Sequence, residues 1–191
     1  MPSVKRISSF ARLAEAFYPD GLIDGKASCG EEGKHFAITD KGSGEIFRCD
    51  LRNIKGKPDG LNTCDFLFLC QEAARKDFVL VLVELKDSRA DKALRQLEDT
   101  AKLFCKKGRK PEDWPEAGHG RGNPPVPNCP EHALWNLGIV VSPGGGKQVP
   151  QRQKEMARLR ERYDLRVLIK SRDTVRISLK SIYEEASKEN P

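Results

Sequence analysis

The apolar run from Phe78 to Val83 (FVLVLV) ends on Glu84, Leu85 and Lys86. Side chains alternate along a strand, so Val79, Val81, Val83 and Leu85 share one face and Leu80, Leu82, Glu84 and Lys86 the other. A strand apolar on both faces is a central one, covered on each side. This strand leaves the core carrying a carboxylate and an ammonium on one face, roughly 7 Å apart at the backbone. The preceding apolar run, Cys64 to Cys70 (CDFLFLC), is separated from it by the polar stretch QEAARKD. Folded back through a symmetric hairpin loop, Leu69 opposes Leu80, Leu67 opposes Leu82, and Asp65 opposes Glu84. Directly opposed side chains have Cβ atoms about 4.5–5.5 Å apart, and two carboxylates that close repel unless a positive charge stands between them. A hard divalent cation does this with one or two carboxylates, waters and a substrate phosphate as its partners. Such a cation polarises phosphorus-bound oxygen and lowers the pKa of an attacking water. Lys86 stands where it can hold that water or stabilise charge on a phosphate. An isolated E-x-K is usually a solvent-facing pair; the register with Asp65 and the buried strand set this one apart.

These residues resemble the PD-(D/E)XK nuclease superfamily, whose pattern is matched by Asp65 in TCDFLFL, Glu84 and Lys86 in VLVELKD, and Gln96 in KALRQLEDT. The match spans roughly residues 35 to 170 in element order, and four side chains carry it. The resemblance implies an α/β domain of restriction-endonuclease-like fold, a mixed β-sheet core with α-helices on both faces. It also implies that Asp65, Glu84 and the backbone carbonyl of Leu85 bind Mg²⁺ or Mn²⁺, that Lys86 assists at the water or phosphate, and that Gln96 supports the site. The expected activity is hydrolysis of phosphodiester bonds, in DNA first of all. By analogy the setting is prokaryotic defence, repair or a mobile element, with a homodimer or a larger complex as the assembly. Cys64 stands where the name-giving Pro would be. Many members add a Glu from the first helix; Glu15, Glu31 and Glu32 are the candidates here. The alternative is a catalytically weak or inactive module on the same fold, binding nucleic acid or protein through its basic surface.

The elements that must position these groups follow from periodicity. SSFARLAEAF spaces Phe10, Leu13, Ala14 and Phe17 as a helix over residues 7–18, closed by Pro19-Asp20-Gly21. HFAIT and EIFRCDL read as strands about the turn-rich DKGSG. ADKALRQLEDTAKLFCKK places Ala93, Leu94, Leu97, Ala101 and Phe104 on one stripe, with Ser88 as a candidate N-cap. Residues 106–132 form a Pro/Gly-rich insertion. ALWNLGIVVS is a strand, PQRQKEMARLRERY a basic helix, and LRVLIK and VRISL final strands. The whole chain, 1–191, reads as a single domain with helices on both sides of a central sheet.

Other constellations are weaker. Cys129 and His132 have a C-x-x-H spacing that zinc can use, yet Cys105 lies in the helical stripe and no C-x-x-C pair anchors a site. Ser142 to Gln148 (SPGGGKQ) fails the phosphate-loop pattern, because Gln148 replaces the hydroxyl that would meet Mg²⁺. Lys147 can still touch a backbone phosphate. Arg152, Lys154 and Arg158 on the basic helix are candidate phosphate contacts, their ordinary alternative being a solvated face with i,i+4 pairs. The net charge of +6 leans towards an acidic partner. No stretch approaches the ~20 apolar residues of a membrane span, and the N-terminus has no signal-peptide core, so a cytoplasmic protein is expected. The six cysteines read as reduced, mostly buried thiols.

Overall fold

The computed structural model describes residues 23–53, 62–75, 77–86, 90–105, 134–143 and 150–188. The expected helix over 7–18, Glu15, Ser88, the 106–132 insertion with Cys129 and His132, and Lys147 lie outside the described residues.

The apolar hairpin forms the centre of the molecule. β5 (Phe66–Gln71) and β6 (Phe78–Leu85) pair antiparallel with Leu67 opposite Leu82 and Leu69 opposite Leu80, the register that the symmetric loop dictates. Every residue of β6 is buried, as a strand without a polar face requires. The chain returns through α1 (Ala90–Phe104) to β7 (Leu134–Val141), then through α2 (Pro150–Tyr163) to β8 (Leu165–Lys170). β6, β7 and β8 run parallel, and Leu85, Val141 and Lys170 stand side by side at their carboxyl ends. On the other side β4 (Glu45–Asp50) pairs antiparallel with β5, and the short β1 (Ile23–Asp24) closes the six-stranded sheet.

One face of this sheet is covered by the two helices. Ala93, Leu94, Leu97 and Ala101 of α1 and Leu159 of α2 pack with Leu67, Leu69, Leu80, Leu82, Val140 and Val167. Gly138 lets α1 come close: a Cβ there would lie 3.0 Å from Leu97 Cδ1 and 3.2 Å from Val167 Cγ2. Fully burying one such aliphatic side chain contributes roughly 1.5–3 kcal/mol.

The opposite face carries more than the helix expected of it. A second, three-stranded sheet of β2 (Ser28–Glu31), β3 (Lys34–Thr39) and β9 (Thr174–Ser178) lies there beside α3 (Leu179–Ser187). Phe36 and Ile38 of β3, with Leu179, Ile182 and Tyr183 of α3, meet Phe66, Phe68, Val79, Val81 and Val83. Phe36 and Phe68 contact edge to face with centroids 5.5 Å apart. HFAIT and EIFRCD are therefore strands of different sheets, with the turn between them passing the chain from one layer to the other. The last strand stops at Ser178, whose side-chain oxygen accepts from Ser181 N–H and caps α3. The result is an α/β architecture with helices on both faces of its main sheet. Among the described residues no helix is long and apolar enough to cross a membrane.

Candidate active site

The β5–β6 ladder ends at Phe66 opposite Val83, one step before the two acidic residues. There the side chains continue the pairing. Asp65 N–H donates to Glu84 Oε2 at 3.1 Å, and Leu85 N–H donates to Asp65 Oδ2 at 2.8 Å. Each carboxylate thus ties off the other strand's backbone, so both are fixed by the fold. Lys86 Nζ lies 2.7 Å from Glu84 Oε1 in an ion pair, with the Lys86 side chain 24% exposed and Glu84 fully buried. Glu84 Oε1 accepts no well-directed hydrogen bond.

Burial pushes the Glu84 carboxyl up to about 8, the neighbouring charge of Asp65 adds to the rise, and Lys86 only partly offsets it. Burial also raises Asp65, against the pull of the Leu85 N–H. Burial lowers Lys86, but its bond and charge contact with Glu84 outweigh this and leave the ammonium raised. Both carboxyls therefore keep their protons to higher pH than exposed ones, because burial disfavours the charged form.

Of the three candidate additional glutamates, Glu31 at the end of β2 comes towards the pair, and its charge acts on both Asp65 and Lys86. Glu32 adopts a positive φ of 47° in the following turn, 4.0 Å from Lys34 and away from the pair. Arg52, which composition and spacing did not single out, sits between the two sheets. Its Nη1 is 3.0 Å from Glu31 Oε1, its Nε and Nη2 hold both oxygens of Asp50, and its guanidinium lies 4.7 Å from the Phe66 ring centroid. Leu51 N–H donates to Asp65 C=O at 2.9 Å, which carries the 3₁₀ turn of Leu51–Asn53 to the site edge.

Gln96 is buried on α1, and its Nε2 donates to Thr63 C=O at 3.1 Å. One turn on, Thr100 Oγ1 donates to Gln96 C=O and accepts from Cys64 N–H, each at 2.8 Å. The two side chains pin the backbone that leads into Asp65. Gln96 acts through that backbone, and Thr100, hidden in the sequence as one more helix residue, does so beside it. Cys64, in the position of the missing Pro, is fully buried, and burial holds its thiol well above the usual range.

Arg152 and Arg158 of α2 are engaged elsewhere. Arg152 Nε is 2.6 Å from Asp91 Oδ1, and Arg158 Nη2 is 2.5 Å from Glu98 Oε2, so both tie α2 to α1. Lys154 is exposed. Because β6 and β7 run parallel and each feeds a helix, the N-termini of α1 and α2 lie at the same sheet edge as Glu84 and Lys86. That carboxyl edge is where open α/β sheets bind ligands, and helix N-termini there favour anions.

A divalent ion fits these residues. The donor set is two adjacent buried carboxyl groups, Asp65 and Glu84, with the Lys86 ammonium already 2.7 Å from Glu84 Oε1 as a second positive partner beside the place an ion would take. Among the described residues no three His, Cys, Asp or Glu side chains form a metal cage. An ion here would therefore rest on two carboxylates and a carbonyl, leaving positions for water and phosphate, the pattern magnesium favours. Five cysteines, Cys29, Cys49, Cys64, Cys70 and Cys105, are free and buried. Compared with known proteins, the chain matches no family model, no curated protein and no solved structure.

Proposed function

We propose that the protein is a Mg²⁺- or Mn²⁺-dependent nuclease that hydrolyses phosphodiester bonds, most readily in DNA, on a restriction-endonuclease-like core. The observation that carries this reading is the reciprocal tie of Asp65 and Glu84 at the end of the β5–β6 ladder, with Lys86 against Glu84. Asp65, Glu84 and the Leu85 carbonyl would hold the ion, which when bound supplies Lewis-acid polarisation and a more acidic water. Lys86 orients the attacking water or neutralises charge on the phosphoryl oxygens. Gln96 and Thr100 hold Asp65 in place. In such a reaction positioning and charge stabilisation supply most of the rate enhancement.

Lys86→Ala tests the reading with plasmid, linear duplex, single-stranded DNA and RNA, each in Mg²⁺, Mn²⁺ or EDTA. The expected result is metal-dependent cutting by wild type and a loss of about 10²–10³ in the variant, the size typical of one lost transition-state contact. Wild type that cuts no substrate in any metal, yet binds nucleic acid in EDTA, would refute it. That outcome supports the second reading, an adaptor on the same fold, which is favoured by Arg52 occupying the carboxylate of Glu31.

A further inference from the structure

Exposed cations without an ion pair flank the Asp65–Glu84 pair on both sides, along the carboxyl edge of the main sheet. The first group lies on the β5 side. Lys92 and Arg95, in the first two turns of α1, border a cleft of about 470 Å³ with Asn62, Asp91, Gln96 and Asp99. The carboxylates in it are already matched, Asp91 by Arg152 and Asp99 by Lys102 at 2.7 Å. Lys92 and Arg95 are exposed and make no ion pair among the described residues. Asn62 is three residues from Asp65, a reach of at most about 11 Å, so this cleft adjoins the pair.

The second group lies on the β8 side. Backbone pairing runs to the tips of the parallel strands: Lys86 N–H donates to Val141 C=O at 2.9 Å, and Ser142 N–H donates to Lys170 C=O at 3.0 Å. Two strand spacings of about 4.8 Å therefore set the Lys170 backbone roughly 10 Å from that of Lys86. Arg172 follows in the turn to β9. The next residue, Asp173, accepts from His35 N–H at 2.7 Å, beside the β2–β3 turn that brings Glu31 to the site. Lys170 and Arg172 are exposed and make no ion pair among the described residues. A carboxylate that Lys170 acts on, Glu185, is already held by Lys188 at 2.5 Å and Arg166 at 3.2 Å.

Lysine and arginine without protein partners are what a nucleic-acid backbone neutralises itself against. The distance from Lys86 to Lys170 spans about three phosphates of one strand, at 3.4 Å of rise each. We propose that the carboxyl edge is the track of the substrate backbone, with phosphates at Lys92 and Arg95 on one side of the cleaved bond and at Lys170 and Arg172 on the other. The inference rests on the nuclease reading and deepens it: a strand held on both sides of the bond is cut in its interior, as an endonuclease cuts. Phosphate contacts carry no sequence information, so this grip is indifferent to base sequence.

The test uses Lys86→Ala protein in EDTA and fluorescence anisotropy over a salt series, with a labelled single-stranded oligonucleotide and its duplex. Lys92→Gln with Arg95→Gln, and separately Lys170→Gln with Arg172→Gln, should each flatten the log–log salt dependence. The change is about 0.9 per lost contact on the duplex or about 0.7 on the single strand. All four side chains are exposed, so melting temperatures should stay within about 1–2 °C. Lys41→Gln with Arg162→Gln removes the same charge from the opposite end of the sheet, before β4 and at the end of α2, and should leave the slope unchanged. An unchanged slope in either edge pair overturns the proposal, as does an equal drop in the control pair. Wild type that binds phosphatidylserine vesicles and neither oligonucleotide overturns it too. In Mg²⁺ or Mn²⁺ wild type should open covalently closed circular DNA, duplex or single-stranded. Trimming of linear DNA from its ends, with circles left intact, overturns the two-sided track. A wild type that cuts nothing refutes the nuclease reading, and the metal-free binding series still decides the track. Metal-dependent cutting with unchanged slopes refutes the track alone.

Discussion

Glu84 is the residue whose burial costs the metal-free protein most at the site. Its ordinary carboxyl value is 4.5, and in the folded chain burial first and Asp65 second push it up to about 8. Between those values the folded state keeps a proton that the unfolded chain has released. Stability from this group is therefore fully present below about pH 4.5 and is lost as pH rises through about 8. The loss amounts to at most about 1.4 kcal/mol per pH unit crossed. In EDTA the melting temperature of wild type should fall between about pH 5 and pH 8, and Glu84→Gln should flatten the profile and melt higher at the alkaline end. Parallel profiles for the two proteins would show that Glu84 carries no such burden. The same carboxylate is what a divalent ion would use, so the cost to stability and the proposed activity share one atom set.

Helix α1 shows how an element keeps the site in register. Leu97 is fully buried, and its Cδ1 fills the space that a side chain at Gly138 would take. Leu97→Ala should cost about 2–5 kcal/mol, and Gly138→Ala alone about 1–3 kcal/mol by overpacking. Combined, the two should cost less than their sum by about 0.5 kcal/mol or more, because the new methyl enters the space the leucine vacates. Chemical denaturation of the four proteins in the cycle measures this, and strict additivity would mean that α1 does not press on β7 there. The α1 stripe and the β5–β6 register were legible because each follows from local periodicity and a short symmetric loop. The basic helix Pro150–Tyr163 and the strand Leu165–Lys170 were legible for the same reason. The second sheet was not. Its strands are four to six residues long, and β3 finds its parallel partner β9 far along the chain. Helix α3 did leave a trace, the spacing of Leu179, Ile182, Tyr183 and Ala186, which also fits the end of a strand-like VRISL. Arg52 and the choice of Glu31 over Glu32 depend on how the two sheets stack, and no local pattern encodes that.

At the scale of the whole molecule, the site is the place where its two layers meet. Asp65, Glu84 and Lys86 belong to the main sheet, Glu31 belongs to the second sheet, and Arg52 bridges to it from the turn after β4. An ion seated on Asp65 and Glu84 would relieve the repulsion between strands and draw on the nearby charge of Glu31. It would then stabilise the fold as a unit, since the unfolded chain offers no such site. Binding at a hundred times the dissociation constant adds about 2.7 kcal/mol, which for a chain of this length raises the melting temperature by roughly 5–10 °C. Mg²⁺ or Mn²⁺ should produce that rise in wild type and EDTA should reverse it. Glu84→Gln should abolish the rise. Glu31→Gln should reduce it while leaving the melting temperature in EDTA within about 1–2 °C, as for the loss of one partly exposed ion pair. A shift that is equal in wild type and Glu84→Gln would place the ion elsewhere. A rise lost in Glu84→Gln but untouched by Glu31→Gln would confine the metal to the main sheet and leave Arg52–Glu31 as the clasp between layers.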